Sequence, residues 1–377
     1  MNDGRHAYIR PSNAAILSRC YGYAALNAAL GTEYVEEQDN EVREDGTACH
    51  WLAKEVWDGR PVEPGGLAPN GRELTEEMFA AVDEYHALLL SWVSDRARVV
   101  LEQTIKVSQA FPGMQDGTPD AWAYDPHAAT LYVGDLKFGY RPVEVWRNPQ
   151  LIVYAWTLVC LLIAAGYKVH NVKLYIFQPR VAHRDGYARC WSVDTQALAQ
   201  LAKTIADHVL ECLKPNPPCT VNPGCRNCAA AFGCRTLQAA AGSGIEISYD
   251  ATPFVLTSPQ VGHELAKLMA AQQHIEDRIT GLTVQAESLI KRGERVPGFE
   301  MGRSATRWRW RSGADALLRR LAPLFGVEVM DEPKVKTVAK LRDKLPQAVI
   351  DMYAFKPDGE LKLRLVDPNE AVRKFEK

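Results

Sequence analysis

The sequence predicts a mixed α/β (α+β) fold in which a mixed central sheet is flanked by helices. Three observations predict it. Residues 12–100 carry mostly helical periodicity, with apolar residues spaced three and four apart. Short apolar runs separated by turn residues follow, namely "VLEQTIKVS", "DAWAYD" and "TLYVGDLKFG". The order then becomes helix, strand, strand, helix as far as residue 213, which is typical of helices packed on a mixed sheet.

Each helix has its own local signals, such as Ser12 as a cap and acidic residues in the first turn after Thr75. The apolar helix that begins at Gln150 follows the pair Asn148-Pro149. The helices are predicted at residues 12–29, at 44–59 with a break at Gly46, at 75–100, at 150–166, at 195–213 and at 260–292. The segments "NVKLYIFQPR" and "ARCWSVD" are predicted to be strands.

The chain of 377 residues is long enough for two domains, or for one domain with a large appendage. We expect a main domain over residues 1–240 that opens with a helical N-terminal segment. Residues 241–258 are rich in Ala, Gly and Ser and are predicted to form a linker. Residues 259–377 are predicted to form a C-terminal accessory α/β region.

The composition limits the classes of function. The net charge is −2 and the pI is about 6.5, so any binding to a polyanion must come from a local basic patch. The most apolar segment, residues 151–166, is shorter than the roughly 20 residues that span a bilayer, and no signal peptide is evident. We therefore expect a cytoplasmic protein without a membrane partner.

An acid and a lysine end the strand "TLYVGDLKFG". Asp135 and Lys137 are two residues apart, so both side chains project from the same strand face. If the preceding strand pairs with this one as a hairpin, Asp120 approaches Asp135 at one end of the sheet. Two such carboxylates repel each other, and a divalent cation between them would relieve the repulsion. An exposed ion pair of Asp135 with Lys137 is the alternative.

Three further polar residues lie in helices. Gln150 and Tyr154 are four residues apart on one face of a helix that is otherwise apolar. They either bond to backbone groups or point into a cleft and contact a substrate. His50 lies early in a helix, where a histidine is more often a capping or core residue than a ligand.

Five of the nine cysteines lie where a metal group could use them. "CRNCAAAFGC" spaces Cys225, Cys228 and Cys234 as C-x2-C-x5-C, which is typical of a metal or cluster site. Both zinc and a cubane iron–sulfur cluster require a fourth ligand. Cys219 is close in sequence, and Cys20 would require the N-terminus to fold back. The spacing leaves both the metal and the fourth ligand open.

The ordered motifs "GTACH", "GTPD", "DLK" and "QLIVY" resemble the RecB-like branch of the PD-(D/E)XK nuclease superfamily, and in particular a phage-encoded subgroup. The resemblance implies a restriction-endonuclease-like core. It implies that the metal ligands for Mg²⁺ or Mn²⁺ are His50, Asp120 and Asp135. It also implies that Lys137 assists the attacking water and that Gln150 and Tyr154 position DNA. Glu102 matches a position where some relatives carry an acid.

The iron–sulfur members of this branch place one cysteine ahead of the histidine motif and C-x2-C-x5-C after the core. That layout implies a [4Fe-4S] cluster held by Cys20, Cys225, Cys228 and Cys234, which would staple the two ends of the nuclease domain. A zinc site that uses Cys219 remains the alternative.

A basic stretch near the C-terminus alternates arginine and tryptophan. As a strand, it would place Arg307, Arg309 and Arg311 on one face and Trp308 and Trp310 on the other. Either the tryptophans are buried and the arginines solvated, or the stretch contacts phosphates and unpaired bases.

Together these features predict a Mg²⁺- or Mn²⁺-dependent deoxyribonuclease. The resemblance implies an exonuclease or a single-strand-acting enzyme in phage recombination or replication, with DNA and phage replication or recombination proteins as partners. The alternatives are a catalytically silent DNA-binding or assembly subunit, and a zinc-stapled interaction protein.

Overall fold

The structure is a computed structural model that describes residues 5–32, 41–181, 183, 185–247, 256–303, 309–310, 314–331, 334–335, 338–341, 344–355 and 361–365. By its internal contacts the chain divides into two compact units, Met1–Gly281 and Leu282–Lys377. Each unit is described by itself.

The first unit is built on a five-stranded mixed sheet with the order β1-β2-β3-β4-β5. Its strands are β1 (Val99–Leu101), β2 (Ala121–Asp125), β3 (Thr130–Leu136), β4 (Asn171–Phe177) and β5 (Ala188–Asp194). Only the β3–β4 pair is parallel, and the other neighbours are antiparallel. The parallel pair requires a crossover connection, which a helix between the two strands supplies. The predicted mixed sheet flanked by helices is confirmed.

The helices that begin in this unit are α1 (Ala14–Leu17), α2 (Tyr23–Leu30), α3 (Glu41–Trp57), α4 (Glu76–Leu90), α5 (Pro149–Ala164), α6 (Thr195–Leu213), α7 (Arg235–Ile247) and α8 (Ser258–Lys291). Four of them, α3 to α6, cover the two faces of the sheet. On one face α5 and α6 pack over Leu131 and Val133. On the other face α3 and α4 pack over Tyr132 and Leu136. Neighbouring residues of β3 thus serve opposite cores, which is why all seven of its residues are buried.

The second unit contains short elements around a small core that includes Leu318, Leu341 and Ile350. The helices are α9 (Ala314–Leu321), α10 (Val338–Leu341) and α11 (Gln347–Tyr353). The strands are β6 (Phe299–Arg303), β7 (Arg309–Trp310), β8 (Met330–Asp331), β9 (Lys334–Val335), β10 (Ala354–Phe355) and β11 (Leu361–Leu365). They pair as β6–β11, β7–β10 and β8–β9, each antiparallel.

Several boundaries differ from the sequence prediction. Gly46 does not break the chain but lies inside α3. The first predicted helix is interrupted between α1 and α2, and the helix predicted over 75–100 ends at Leu90 before β1 begins. The predicted linker is helical as far as Ile247, while residues 248–255 lie outside the described part of the chain.

The apolar segment over 151–166 is confirmed as a buried helix for most of its length, because α5 buries eight of its residues. Among the described residues, no helix is both long and apolar enough to cross a membrane.

Gly134 allows α4 and the residues after it to approach the centre of β3. A Cβ atom built on Gly134 would lie 2.6 Å from the ring of Trp92. Trp92 is itself buried and stacks against Tyr132, with ring centroids 5.8 Å apart, so it has little room to move. The glycine therefore fixes the distance between the helical layer and the strand that ends at Asp135.

We expect Gly134→Ala to lower the free energy of unfolding by about 1–3 kcal/mol, because the added methyl group overpacks the contact with Trp92. Urea unfolding followed by circular dichroism measures the change. Gly46→Ala is the matched control: nothing lies within 4 Å of its Cβ position, and it should stabilise α3 by about 0.5–1 kcal/mol. Equal stabilities for Gly134→Ala and the parent would contradict this packing account.

Candidate metal centre and cysteine pocket

The β2–β3 hairpin brings two of the predicted acids together. Ala121 pairs with Gly134, so the next residue of each strand, Asp120 and Asp135, meet at the end of the hairpin. Asp120 accepts a hydrogen bond from the backbone N–H of Leu136, with 2.6 Å between N and Oδ2. The loop carboxylate is thereby anchored to the backbone that links Asp135 to Lys137.

Helix α3 adds His50, and the residue directly after β1 adds Glu102, to the same place. The His50 Nδ1 atom lies 3.2 Å from Oε1 of Glu102 and 3.6 Å from Oδ1 of Asp120. One potential ligand atom from each of these three residues lies within 4.8 Å of the others. His50 is therefore not an isolated core or capping residue but part of a cluster of potential metal ligands.

The buried Arg180 side chain holds α3 in position. Its guanidinium group pairs with Asp45 of α3 at 3.3 Å and with Glu77 of α4 at 2.9 Å. It also lies 3.7 Å from the ring centroid of Phe138, just beyond the catalytic strand. The end of β4, α3 and α4 are thus tied together next to the helix that carries His50.

Asp135 is 3% exposed and is contacted from the other side of the sheet. Lys137 Nζ donates to its Oδ1 atom at 2.8 Å, and Gln150 Nε2 donates to the same atom at 3.3 Å. Tyr154, one turn further along α5, is buried and interacts electrostatically with Asp135, so both α5 residues lie next to the carboxylate. The ion pair that was the alternative for Asp135 and Lys137 does form, but its acid is buried and only its lysine is partly exposed.

The electrostatics of the cluster follow from its burial. Burial raises the pKa of both Asp120 and Asp135, although the nearby positive groups oppose the shift. Burial alone would lower the pKa of His50, but the charge of Asp120 and the hydrogen bond with Glu102 raise it to about 9. Protonated His50 therefore stabilises the metal-free fold below about pH 6.5, and this stabilisation is lost as the pH rises through about 9.

Lys137 is also held in its charged form. Burial opposes the charge, but Asp135 and Asp120 outweigh it and raise the lysine pKa. At neutral pH its ammonium group is therefore a hydrogen-bond donor and not a base.

Glu102 was indicated only by the resemblance, and Tyr85 had no signal in the sequence. Glu102 adopts a φ of +52°, a left-handed conformation that is unusual for a non-glycine residue. Tyr85 of α4 has the pattern of a core aromatic and is 1% exposed. Its hydroxyl group has no hydrogen-bond partner among the described residues, yet it interacts electrostatically with Asp120, Glu102 and Asp135. A solvent molecule or ligand at the acids would satisfy this orphaned hydroxyl group.

The donor set fits a hard divalent cation. Carboxylate oxygens are the ligands that Mg²⁺ and Mn²⁺ prefer, and a single imidazole is compatible with Mn²⁺. The ligand atoms of His50, Glu102 and Asp120 lie close enough together for one cation, and Asp135 is not among these three. Tyr85, whose hydroxyl group has no hydrogen-bond partner among the described residues, interacts electrostatically with Glu102, Asp120 and Asp135.

A second cluster contains all five cysteines considered in the sequence. Cys20, Cys219, Cys225, Cys228 and Cys234 line one pocket, so the N-terminus does fold back as a Cys20 ligand requires. The N–H of Gly22 donates to the Pro218 carbonyl at 2.8 Å, and a Cβ on Gly22 would lie 2.5 Å from the Cys219 sulfur. Only a glycine allows this close approach.

Four of the five sulfurs accept N–H hydrogen bonds, as metal-bound thiolates commonly do. The donors are Thr220 N to Cys20 at 3.4 Å, Asn222 N to Cys225 at 3.4 Å, Asn27 Nδ2 to Cys228 at 3.6 Å, and the backbone of Thr236 and Leu237 to Cys234. Cys219 instead hydrogen-bonds to the thiols of Cys20 and Cys234. These bonds lower the pKa of Cys20 and Cys234 and raise that of Cys219, so Cys219 favours the thiol form.

The basic, tryptophan-bearing stretch lies mostly outside the described residues. Arg307, Trp308 and Arg311 fall in that undescribed part, and Arg309 and Trp310 form strand β7, which pairs with β10. The expectation that these residues contact DNA therefore stays a prediction.

The family model described as "Protein of unknown function (DUF2800)" matches residues 6–369. The chain belongs to the DUF2800 family. The matched region contains both the acid cluster and the cysteine pocket. A search of the curated proteins finds no match to this chain. Because the family description names no activity, the chemistry of the two clusters must support any function for this DUF2800 protein.

We expect Mn²⁺ to release about one proton per chain from His50 at pH 7, because the histidine is protonated there in the metal-free protein and a metal ligand must be neutral. Calorimetric titration in buffers of different ionisation enthalpy counts these protons. His50→Gln should lower the count by about one, whereas His127→Gln, in the exposed turn at the other end of the hairpin, should not. An unchanged count for His50→Gln would exclude the histidine as a ligand.

Proposed function

We propose that this DUF2800 protein is a divalent-cation-dependent deoxyribonuclease with a RecB-like PD-(D/E)XK core. The observation that supports the proposal best is the convergence of four groups from three separate elements: His50, Asp120, Asp135 and Lys137. Neither a purely structural metal site nor a surface ion pair requires a lysine paired with a buried acid at the centre of the cluster. The sequence order of the motifs adds the resemblance to the nuclease branch.

The ligand set would be His50, Asp120 and Asp135, with Glu102 beside the histidine. A bound Mg²⁺ or Mn²⁺ would supply positive charge at a phosphate oxygen and would lower the pKa of a bound water. Lys137 keeps its proton, so in this proposal it orients the attacking water by donation and offsets charge that develops on the phosphate. Gln150 and Tyr154 hold Asp135 from the α5 side and would contact the DNA strand.

We further propose that the cysteine pocket holds a [4Fe-4S] cluster. Its ligands would be Cys20, Cys225, Cys228 and Cys234, because these four sulfurs receive N–H hydrogen bonds. Such a cluster would connect the N-terminal segment to the chain after α6, and its role would be structural. A zinc ion that uses Cys219, which lines the same pocket, is the competing assignment.

The finer aspects of the proposal come from the resemblance. They are action on DNA ends or single strands, a role in phage recombination or replication with partners from those processes, and a location in the host cytoplasm.

We expect the protein to cleave labelled DNA in the presence of Mg²⁺ or Mn²⁺ and not in EDTA. Asp135→Asn and Lys137→Gln should each lower the rate by about a hundredfold or more, because each removes charge stabilisation at the reacting phosphate. Gel-based cleavage of single-stranded and duplex oligonucleotides measures the rates.

The control is Asp125→Asn, at the opposite end of the same hairpin, which should keep the parent rate. DNA binding without any cleavage by the parent protein would support the silent DNA-binding subunit instead. Neither binding nor cleavage would reject both functions.

We expect protein purified without oxygen to be brown and to contain about four iron and four sulfide per chain. Cys225→Ser and Cys20→Ser should each lose most of the iron, because each removes one of four required thiolates. Cys190→Ser is the control, since Cys190 is exposed on β5 and lies outside the pocket. Colourless protein with one zinc per chain, retained in Cys20→Ser and lost in Cys219→Ser, would establish the zinc assignment.

A further inference from the structure

The loop between β3 and α5, residues 138–148, has a tightly held backbone. The buried Gln178 side chain donates to the carbonyls of Gly139 and Arg141 at 2.9 and 2.7 Å and accepts from the Val143 N–H at 3.1 Å. The buried Arg189 donates to the Val143 carbonyl at 2.9 Å and to Gln178 at 2.7 Å. Two buried polar side chains therefore fix the course of this loop.

The same loop presents large aromatic side chains to solvent. Trp146 is 61% exposed and Tyr140 is 60% exposed. Each has an arginine over its ring: Arg147 lies 4.7 Å from the Trp146 centroid, and Arg180 lies 5.1 Å from the Tyr140 centroid. A rigid backbone that holds an exposed indole under a guanidinium group is suited to binding a flat partner that carries negative charge.

The backbone at Arg147 is an independent sign of a specialised role. Its φ is +51°, in the left-handed region that favours glycine. Outliers of this kind concentrate at functional sites. A glycine would adopt this conformation without strain, yet the position is occupied by an arginine. The arginine side chain lies over the Trp146 ring.

The Trp146–Arg147 pair lies directly beside the candidate catalytic residues. Asn148 follows at once and caps α5 by accepting from the backbone N–H groups of Gln150 and Leu151, at 3.1 and 3.3 Å. Gln150 in turn contacts Asp135. The pair is thus coupled through a short, capped turn to the carboxylate at the centre of the acid cluster.

We propose that Trp146 and Arg147 bind an unpaired nucleotide next to the scissile phosphate, with the base stacked on the indole and the phosphate paired with the guanidinium group. This inference rests on the proposed nuclease function and specifies its substrate as single-stranded DNA. An intact duplex does not offer a free base face, because its bases are already stacked on each other. Glu144, the exposed acid on this loop, lies 3.7 Å from His183.

The test measures binding without cleavage, in the full-length Asp135→Asn background with EDTA, by fluorescence anisotropy of labelled single-stranded and blunt duplex oligonucleotides. Trp146→Ala should weaken single-strand binding by at least about fivefold, as expected for the loss of one stacked base, and duplex binding by less than about twofold. Trp146→Phe keeps a ring and should restore most of the affinity for single strands.

Arg147→Gly tests the contribution of the Arg147 charge to DNA binding without destabilising the fold. It should weaken single-strand binding and lower its salt dependence by about one ion contact, while the melting temperature stays the same or rises because the strain is relieved. The control is Tyr167→Ala, an aromatic residue that is 50% exposed. Tyr167 lies near the start of β3, at the far end of the strand from Asp135, and its loss should not affect binding.

The possible outcomes separate this inference from the nuclease proposal. Unchanged single-strand binding by Trp146→Ala, with a parent that binds and cleaves DNA, would overturn the inference alone. Equal losses on both substrates would assign the loop to duplex DNA and also overturn it. A protein that neither binds nor cleaves DNA would overturn the inference and the proposed function together.

Discussion

Repulsion among buried carboxylates is the constraint on which the rest of the structure depends. Glu102, Asp120 and Asp135 converge at the end of one hairpin, where burial makes the charges of Asp120 and Asp135 costly and Glu102 stays partly exposed. Two cationic groups, His50 and Lys137, offset part of that cost from opposite faces of the sheet. A protein that needed only stability would gain from apolar residues at these positions, because paired buried charges seldom repay their desolvation. The arrangement is therefore better explained by chemistry than by folding.

The sheet and the helices on its two faces position the residues of this cluster. Residues of β3 alternate between two cores, so one strand end can offer its side chains to helices on both faces. Helix α3 supplies His50 from one side, and α5 supplies Gln150 and Tyr154 from the other. The hairpin register then places the two acids opposite each other.

Part of the acid cluster was predictable from the sequence, and part of it was not. Strand alternation was enough to place Asp135 and Lys137 together, and the hairpin turn was enough to place Asp120 opposite them, since both effects are local. The involvement of His50 came from the order of motifs, because no local rule brings α3 to that end of the sheet. The sequence did not predict a role for Tyr85, because a tyrosine on an apolar helix face looks the same in sequence whether or not its hydroxyl group has a hydrogen-bond partner.

The cysteine pocket shows a similar division. The C-x2-C-x5-C spacing predicted a shared site, but the choice between Cys20 and Cys219 depended on tertiary structure. The close approach at Gly22 brings both cysteines into the pocket, so the choice of the fourth ligand belongs to the proposal. The prediction of a break at Gly46 was wrong for a simpler reason. A glycine costs a helix only about 1 kcal/mol of stability, which packing of α3 can offset.

The central claim is that these distant side chains converge to bind one divalent cation. Anomalous diffraction from crystals grown with Mn²⁺ tests it most directly, because the metal alone gives a signal at its absorption edge. The account predicts a peak within about 2.0–2.3 Å of oxygen atoms from both Asp120 and Asp135, with the His50 ring turned toward it. A fully occupied Mn²⁺ site elsewhere, with the acid cluster empty and the two carboxylates still paired only with protein groups, would contradict it.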